Sequence, residues 1–202
     1  MTKNKRHSRY SYSIGFMVLL TLIAIGALAL INEATGPRIQ QNIEVKNQEK
    51  VLEAANLLPE NSTDQEIQSL FSNAFEILNW NESTLYQLEP SIFVVPISGS
   101  GLWGSIHGYI GINFSNNALL GLSFVSHNET PGLGGRIEEA EFLDQFDNLI
   151  LPTQPDYLIY RPKPGGNVDA ISGATGTSNA VRNFLNADLT QYYDAYARGD
   201  FE

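Results

Sequence analysis

The hydrophobic and polar pattern of the chain begins with one long apolar run. Residues 14–31 are apolar except for Thr21 and small residues, and a helix of that length spans about 27 Å, close to the thickness of a bilayer's hydrocarbon core. The run is longer than the apolar part of a usual cleaved signal peptide, although Ala27-Leu28-Ala29 resembles a cleavage site. We therefore predict a single N-terminal transmembrane helix at residues 14–31.

The basic residues before position 32 all lie on the N-terminal flank of this segment. The charged residues before position 32 are Lys3, Lys5, Arg6 and Arg9. Because lysine and arginine favour the cytoplasmic side of a membrane, the pattern predicts a cytoplasmic tail at residues 1–13 and an extracytoplasmic domain at residues 32–202. The chain would then be a single-pass protein of the cytoplasmic membrane, with its domain on the periplasmic side.

Helical spacing returns after the apolar run. Pro37 marks an expected boundary, and residues 39–58 form a predicted helix that Pro59 ends. The polar cluster at residues 61–64 is typical of a helix N-cap, which predicts a second short helix extending to Phe75.

Strand-like alternation begins at residue 92. We predict a strand at 92–97 and a hairpin of residues 107–114 and 118–127 around a turn at 115–117. An acidic helix at 137–146 and a strand at 157–160 are expected to follow. The closing helix carries an apolar stripe formed by Val181, Leu185, Leu189, Tyr192 and Tyr196. Together these elements predict an α+β fold in which helices cover an antiparallel sheet.

Composition and charge exclude several functions. The chain has 202 residues, of which 12 are basic and 22 acidic, and beyond position 32 eight basic residues leave a net charge of −14. Nucleic acid is therefore not an expected partner. The chain has no cysteine, which excludes thiolate-held iron–sulfur clusters, disulfides and cysteinyl flavin. The three histidines lack metal-ligand spacing, so we predict no metal site.

The stretch at residues 169–178 is small, rich in hydroxyl groups and followed by a helical pattern. A helix that begins at Thr177 or Ser178 would direct unpaired N–H groups at an anion. Four hydroxyl groups could add hydrogen bonds to the anion: those of Ser172, Thr175, Thr177 and Ser178. An ordinary turn with a serine or threonine N-cap explains the same residues. On residue chemistry alone, a phosphate site and a helix cap both remain open.

The segment Asp169–Thr175 resembles the flavin-attachment motif of FMN-binding-domain proteins, Asp-x-x-Ser/Thr-Gly-Ala-Thr/Ser. In that motif the last hydroxyl carries FMN through a phosphoester, and the corresponding residue here is Thr175. The resemblance implies that a flavin transferase attaches FMN to Thr175 and that Asp169 helps that enzyme recognise or activate the site. The other residues that it places around the phosphate are Ser172, Gly173, Ala174 and Thr177.

A second block, at residues 129–134, is similar to the loop before the attachment motif in the C-type subunit of the sodium-translocating NADH:quinone reductase and in the G-type subunit of the Rnf complex. With a flavin nearby, Glu129 or Thr130 could hydrogen-bond it, while Gly132 would allow a tight turn. Leu133 could cover the face of the ring, and Trp103 could stack on it or shield it from water.

The resemblance implies a membrane-anchored electron carrier without a substrate of its own. Ser172 and the stretches 177–179 and 101–103 resemble the C-type subunit of the reductase more than the Rnf subunit. The implied partners are the other subunits of a sodium-translocating NADH:quinone oxidoreductase. The alternative within the family is the Rnf subunit, and an alternative of another class is an anchored module that binds a phosphorylated ligand without redox work.

Overall fold

The computed structural model describes the backbone of residues 3–201 and the side chains of residues 12–201; residues 1–2 of the predicted tail lie outside this range. The chain divides into two compact units between Glu44 and Val45. The helices and strands are α1 (Lys3–Ala54), α2 (Asp64–Ala74), β1 (Glu76–Trp80), β2 (Ser83–Glu89), β3 (Ile92–Ser100), β4 (Ser105–Asn113), β5 (Ala118–Ser126), α3 (Ala140–Leu143) and α4 (Thr175–Arg198).

Helix α1 is one continuous helix that includes residues 3–13 of the predicted tail. Its stretch from Tyr12 to Ala54 is long and apolar enough to cross a membrane by length and composition. The helix boundary expected at Pro37 was wrong, because Pro37 lies inside α1. A proline removes a single backbone hydrogen bond, and the helix continues on both sides of it.

The five strands form one antiparallel sheet in the order β1-β2-β3-β4-β5. This architecture confirms the predicted α+β fold with an antiparallel sheet. The predicted strand at 92–97 is part of β3, and the predicted hairpin is β4 and β5, with the left-handed Asn117 in its turn. The first hairpin was missed by the sequence analysis. Half of the residues in its strands β1 and β2 are polar, and the strands join through the left-handed pair Asn81 and Glu82.

Helices cover both faces of the sheet. On one face, the end of α1 and helix α2 bury an apolar cluster that includes Val94 of β3. Thr63 caps α2 with a capping box to Glu66, as the polar cluster before it predicted. On the other face, α4 packs on the larger core, in which Phe93, Val95 and Ile97 alternate with Val94 along β3. The predicted apolar stripe of α4 is confirmed for its first four residues, since Val181, Leu185, Leu189 and Tyr192 are all buried.

Glycines allow the helices to approach the sheet closely. A Cβ atom on Gly111 of β4 would overlap the Ala54 carbonyl oxygen at the end of α1, and one on Gly99 of β3 would overlap the Phe184 side chain of α4. The Ser123 hydroxyl of β5 also donates a 2.6 Å hydrogen bond to the Lys50 carbonyl oxygen. The sheet therefore holds the last turns of α1 through backbone contacts.

Three other local predictions were wrong. The expected helix at 137–146 is broken into the 3₁₀ turn Gly134–Glu138, the short α3 and a second 3₁₀ turn, Asp144–Phe146. The expected strand at 157–160 is a loop in which Tyr160 makes one isolated parallel bridge to Val168. Helix α4 begins at Thr175, two or three residues before the expected start at Thr177 or Ser178.

We predict that Gly111→Ala destabilises the protein, because its Cβ would force the Ala54 carbonyl away from the sheet. The expected loss is about 1–3 kcal/mol of the free energy of unfolding, measured by urea denaturation of the full chain in detergent. Gly121→Ala is the matched control, since its Cβ would lie 3.2 Å from the same carbonyl oxygen, and its loss should be smaller. Equal stability of the Gly111 variant and the parent would contradict the close packing.

Candidate functional site

The start of helix α4 has no side-chain cap. Its N-cap residue is Ala174, whose methyl group cannot accept a hydrogen bond, and the first intrahelical bond runs from the Ser178 N–H to the Ala174 carbonyl oxygen at 3.0 Å. The N–H groups of Thr175, Gly176 and Thr177 precede that bond and therefore lack intrahelical acceptors. Gly173, with φ +80°, makes the left-handed turn into the helix. This arrangement leaves a helix N-terminus that can accept an anion.

The four hydroxyls predicted to face a phosphate divide into two pairs. Thr177 and Ser178 are buried and bonded within the chain, because Thr177 donates to Glu129 and Ser178 donates to the Ala174 carbonyl oxygen at 3.0 Å. Ser178 also accepts from the Ile171 N–H at 3.0 Å. The hydroxyls of Ser172 and Thr175 belong to exposed residues. Of the four, these two are placed to meet a ligand.

Glu129 links the site's loops through its buried carboxylate. Its Oε1 accepts from the backbone N–H groups of Leu102 at 2.7 Å and Trp103 at 3.0 Å, and its Oε2 accepts from the Thr177 hydroxyl. The side chain is only 4% exposed. Both oxygens therefore bind groups of the protein, which assigns Glu129 to holding the loops rather than to direct contact with a ligand.

The surroundings of Glu129 keep it ionised. Burial raises the pKa of Glu129, but the hydrogen bonds from Thr177, Trp103 and Leu102 stabilise the carboxylate, and the pKa lies below its usual value. Small residues make room for this carboxylate, since a Cβ atom on either Gly101 or Gly134 would overlap it or crowd it.

Exposed apolar side chains surround the helix start. A Cβ atom on Gly176 would lie 3.4 Å from the Leu102 side chain, and one on Gly173 would lie 3.9 Å from the Leu133 side chain. Leu102 is 58% exposed, Leu133 49% and Trp103 67%. Exposed apolar side chains that lie together can mark a ligand-binding surface, and these three offer a surface for a flat, apolar ligand group.

The loop at residues 129–135 is a tight turn. The Thr130 carbonyl oxygen accepts hydrogen bonds from the Leu133 N–H at 3.1 Å and the Gly135 N–H at 2.9 Å. Gly132 has φ +73°, a conformation that favours glycine. Thr130 and Gly132 therefore build the turn that presents Leu133.

Asp169 lies in a different environment from Thr175. Its carboxylate accepts a 2.7 Å hydrogen bond from Arg161, and its N–H donates to the Gln145 side chain at 2.6 Å. The arginine offsets the negative charge that a phosphate nearby would otherwise meet. A cavity of about 260 Å³ lies beside this half of the motif, lined by Arg136, Glu139, Glu141, Phe142, Gln145 and residues 169–172.

The structure thus brings most of the predicted residues together. Glu129 contacts Thr177 and the loop of Trp103, and Leu133 lies beside Gly173, while Asp169 and Ser172 face the cavity. The sequence analysis missed Leu102 and Arg161 as candidates. Leu102 could have been found because it adjoins Trp103 between glycines, whereas nothing in the sequence pairs Arg161 with Asp169.

A family model matches part of this chain. Residues 101–190 match the model of the FMN-binding domain family. The match includes Trp103, the loop at 129–134 and the motif at 169–175.

Eight curated relatives share one name, that of the C-type subunit of the Na(+)-translocating NADH-quinone reductase. The protein of Yersinia pestis is 37% identical over 100 residues, which are 46% of this chain and 38% of the relative. That of Vibrio anguillarum is 34% identical over 102 residues, 47% of this chain and 40% of the relative. The matched part is therefore about two fifths of these relatives' length. The predicted resemblance to this reductase subunit is confirmed.

Solved structures share the fold. The same subunit of the Na(+)-translocating NADH-quinone reductase from Parabacteroides distasonis superposes with a TM-score of 0.62 at 22% identity, over 76% of this chain and 92% of that one. NqrC of Shewanella oneidensis gives a TM-score of 0.57 at 21% identity, over 69% and 88% of the two chains.

We predict that Glu129→Ala releases the loop that carries Leu102 and Trp103. The two backbone N–H groups would lose their acceptor, so their hydrogen exchange should become at least about tenfold faster. Hydrogen-exchange mass spectrometry of the peptide covering residues 101–104 measures this. Glu138→Ala, which removes an exposed carboxylate nearby, is the control and should leave that peptide unchanged. Unchanged exchange in the Glu129 variant would contradict the linking role.

A second prediction concerns pH. Because the folded-state pKa of Glu129 lies below its usual value, its stabilising effect is complete above the unfolded-state pKa and is lost as pH falls through the folded-state pKa. Glu129→Gln should lower the free energy of unfolding by about 1–3 kcal/mol at pH 7, and the difference from the parent should shrink between pH 5 and pH 3.

Urea titrations across that pH range provide the measurement. Glu76→Gln, at an exposed position of β1, is the control and should change stability little at either end. A difference that stays constant or grows in acid would mean that the charge of Glu129 does not act as described.

Proposed function

We propose that this chain is a membrane-anchored electron-transfer subunit that carries FMN on Thr175. The cofactor would be bound through a phosphoester: the Thr175 oxygen would displace a leaving group from the phosphorus of the flavin donor, that phosphorus–oxygen bond would break, and the hydroxyl proton would be released. Bound FMN supplies reversible electron uptake and release, so the chain would carry electrons between redox centres without a substrate of its own.

One observation carries the proposal. The exposed Thr175 stands at the first position of α4, and the exposed apolar residues Leu102 and Leu133 lie beside its neighbours Gly176 and Gly173. A phosphate needs the helix N–H groups, and a flavin ring needs an apolar support. A simple helix cap would account for neither the missing cap side chain nor the exposed leucines.

The chain's own residues would hold the cofactor in distinct ways. The N–H groups at the start of α4 would donate hydrogen bonds to the phosphate oxygens, and Ser172 could add another. Leu102, Leu133 and Trp103 would cover or support the ring, and Glu129 would position their loops. Arg161 would keep Asp169 from repelling the phosphate.

The partners and the location are part of the same proposal. The other subunits of a sodium-translocating NADH:quinone oxidoreductase would supply and receive the electrons, and a flavin transferase would attach FMN. Helix α1 would anchor the chain in the cytoplasmic membrane, with the domain on the periplasmic side, as the basic residues before position 14 favour. The shared name of the curated relatives favours the reductase over the Rnf complex.

We predict that the full chain, co-expressed in membranes with a flavin transferase, gives a flavin-fluorescent band after denaturing electrophoresis. Thr175→Ala should abolish the fluorescence, because no hydroxyl remains to form the ester, while urea stability should change by less than about 0.5 kcal/mol at this exposed position. Mass spectrometry of the peptide that contains Thr175 should find the added flavin phosphate in the parent.

Thr190→Ala, in the same helix but far from its start, is the matched control and should keep the fluorescence. Fluorescence retained in the Thr175 variant would assign the ester to another residue. If the parent band is not fluorescent although the transferase is active on another protein, the electron-carrier proposal is wrong. The alternative, a module that binds a phosphorylated ligand reversibly, would then be favoured.

A further inference from the structure

A basic cleft lies along α4, apart from the site described above. Its volume is about 650 Å³, and its lining combines cations, amides and apolar side chains: Asp156, Leu158, Ile159, Lys163, Pro164, Arg182, Asn183 and Asn186. Lys163 and Arg182 stand out in a domain with a large acidic excess. Among residues 12–201, no carboxylate comes within ion-pairing distance of either cation.

Arg182 is held in place before any ligand arrives. Its guanidinium lies 5.7 Å from the centre of the Tyr160 ring, and its Nη2 donates a 2.8 Å hydrogen bond to the Asn183 side chain. Tyr160 is itself fixed, because its hydroxyl donates to the Ser178 carbonyl oxygen at 2.8 Å. A guanidinium has five N–H donors, so part of its planar donor set remains for a carboxylate.

The opposite wall of the cleft is also fixed. Asn186 of α4 binds both backbone groups of Leu158, accepting from its N–H at 2.9 Å and donating to its carbonyl oxygen at 3.0 Å. Asn167 does the same on the outer side of the loop, accepting from the Ile159 N–H at 2.9 Å and donating to the Tyr157 carbonyl oxygen at 2.7 Å. The cleft is therefore preformed, which lowers the entropy cost of binding.

We propose that this cleft, defined by Lys163, Arg182 and Asn186, is a docking site for an acidic segment of a partner protein. The two cations would pair with carboxylates of that segment, and Leu158, Ile159 and Pro164 would contact its apolar side chains. Charge complementarity argues for this partner, because the lining of the cleft contains two basic residues and one acidic residue, Asp156.

The chemistry favours a protein over a lipid surface. Recognition of anionic lipids by charge takes clusters of about four to eight basic residues, whereas this cleft has two and lies in an acidic domain. The mixed polar and apolar lining also suits a peptide better than a lone phosphate.

The cleft lies near Thr175, the residue that we propose carries the cofactor. Arg182 lies seven residues after Thr175, which places the two on the same face of α4, about 10.5 Å apart along the helix. A partner bound there would lie beside the residue that we propose carries the cofactor. The docking itself goes beyond that proposal and can be tested without it.

The experiment measures peptide binding by fluorescence anisotropy, with the full chain in phosphatidylcholine nanodiscs at low salt. The probe is a labelled ten-residue peptide of alternating glutamate and leucine, and its comparison peptide has glutamine in place of glutamate. We expect binding of the acidic peptide that is at least about tenfold tighter than that of the glutamine peptide and that weakens with added salt.

The double variant Lys163→Glu with Arg182→Glu should weaken binding at least about tenfold. Lys46→Glu with Arg198→Glu changes the net charge equally at basic residues outside the cleft and should change the affinity less than about twofold. Arg182→Lys should bind with an intermediate affinity, because a lysine lacks the planar pair of donors.

Several results would overturn the proposal: no binding of the acidic peptide, equal binding of the glutamine peptide, or equal losses in the two double variants. Displacement of the peptide by inorganic phosphate at similar concentration would indicate a small-anion site instead. Charge-dependent binding to phosphatidylserine vesicles without peptide binding would indicate a lipid surface. Because the assay contains no redox step, its result does not depend on whether Thr175 carries FMN.

Discussion

The buried carboxylate of Glu129 joins three segments that are distant in sequence. It binds the N–H groups of Leu102 and Trp103 on one side and the Thr177 hydroxyl on the other. A buried charge is costly unless hydrogen bonds satisfy it, and here three donors stabilise its ionised form. The same bonds fix the loop before β4, the turn after β5 and the start of α4 relative to one another. The arrangement of the candidate site depends on this interaction.

The sheet gives those segments a rigid base. Helix α4 packs on β3 so closely that Gly99 has no room for a side chain, and this contact fixes where the N-terminus of α4 lies. The Ser178 hydroxyl, in the first turn of α4, then holds the turn before the helix, because it bonds to the backbone of both Ile171 and Ala174. The buried hydroxyls thus serve the fold, whereas the hydroxyl of Thr175, which we propose carries the cofactor, belongs to an exposed residue at the helix end.

The charges of the domain are distributed in a similar way. Four of the eight basic residues beyond position 32 pair with nearby carboxylates, as Arg161 does with Asp169 and Arg136 does with Glu139. Lys163 and Arg182 instead face a shared cleft on the helix face that also carries Thr175. A cofactor site and a docking site on one helix would keep a fixed separation, because a packed helix does not bend easily.

The sequence alone determined the elements whose signals are local. The apolar run of α1, the capping box of α2, the alternation in β3 to β5 and the stripe of α4 were all predicted, as was the motif around Thr175. These succeed because hydrophobic periodicity and capping depend on neighbouring residues. The first hairpin, whose strands are half polar, and the broken helix around α3 were not predicted, because tertiary packing overrides weak local preference.

Tertiary structure decided the roles of the individual side chains. The sequence offered Glu129, Thr177 and Ser178 as ligands for a flavin or a phosphate, but folding buries all three. Thr177 is bonded to Glu129, and Ser178 is bonded within the turn before α4. The pairing of Arg161 with Asp169 and the cleft of Lys163 and Arg182 likewise join residues without any sequence signal of contact. The sequence determines the chemical type of each side chain, whereas the burial of a side chain and its bonding partners are decided only when distant segments pack together.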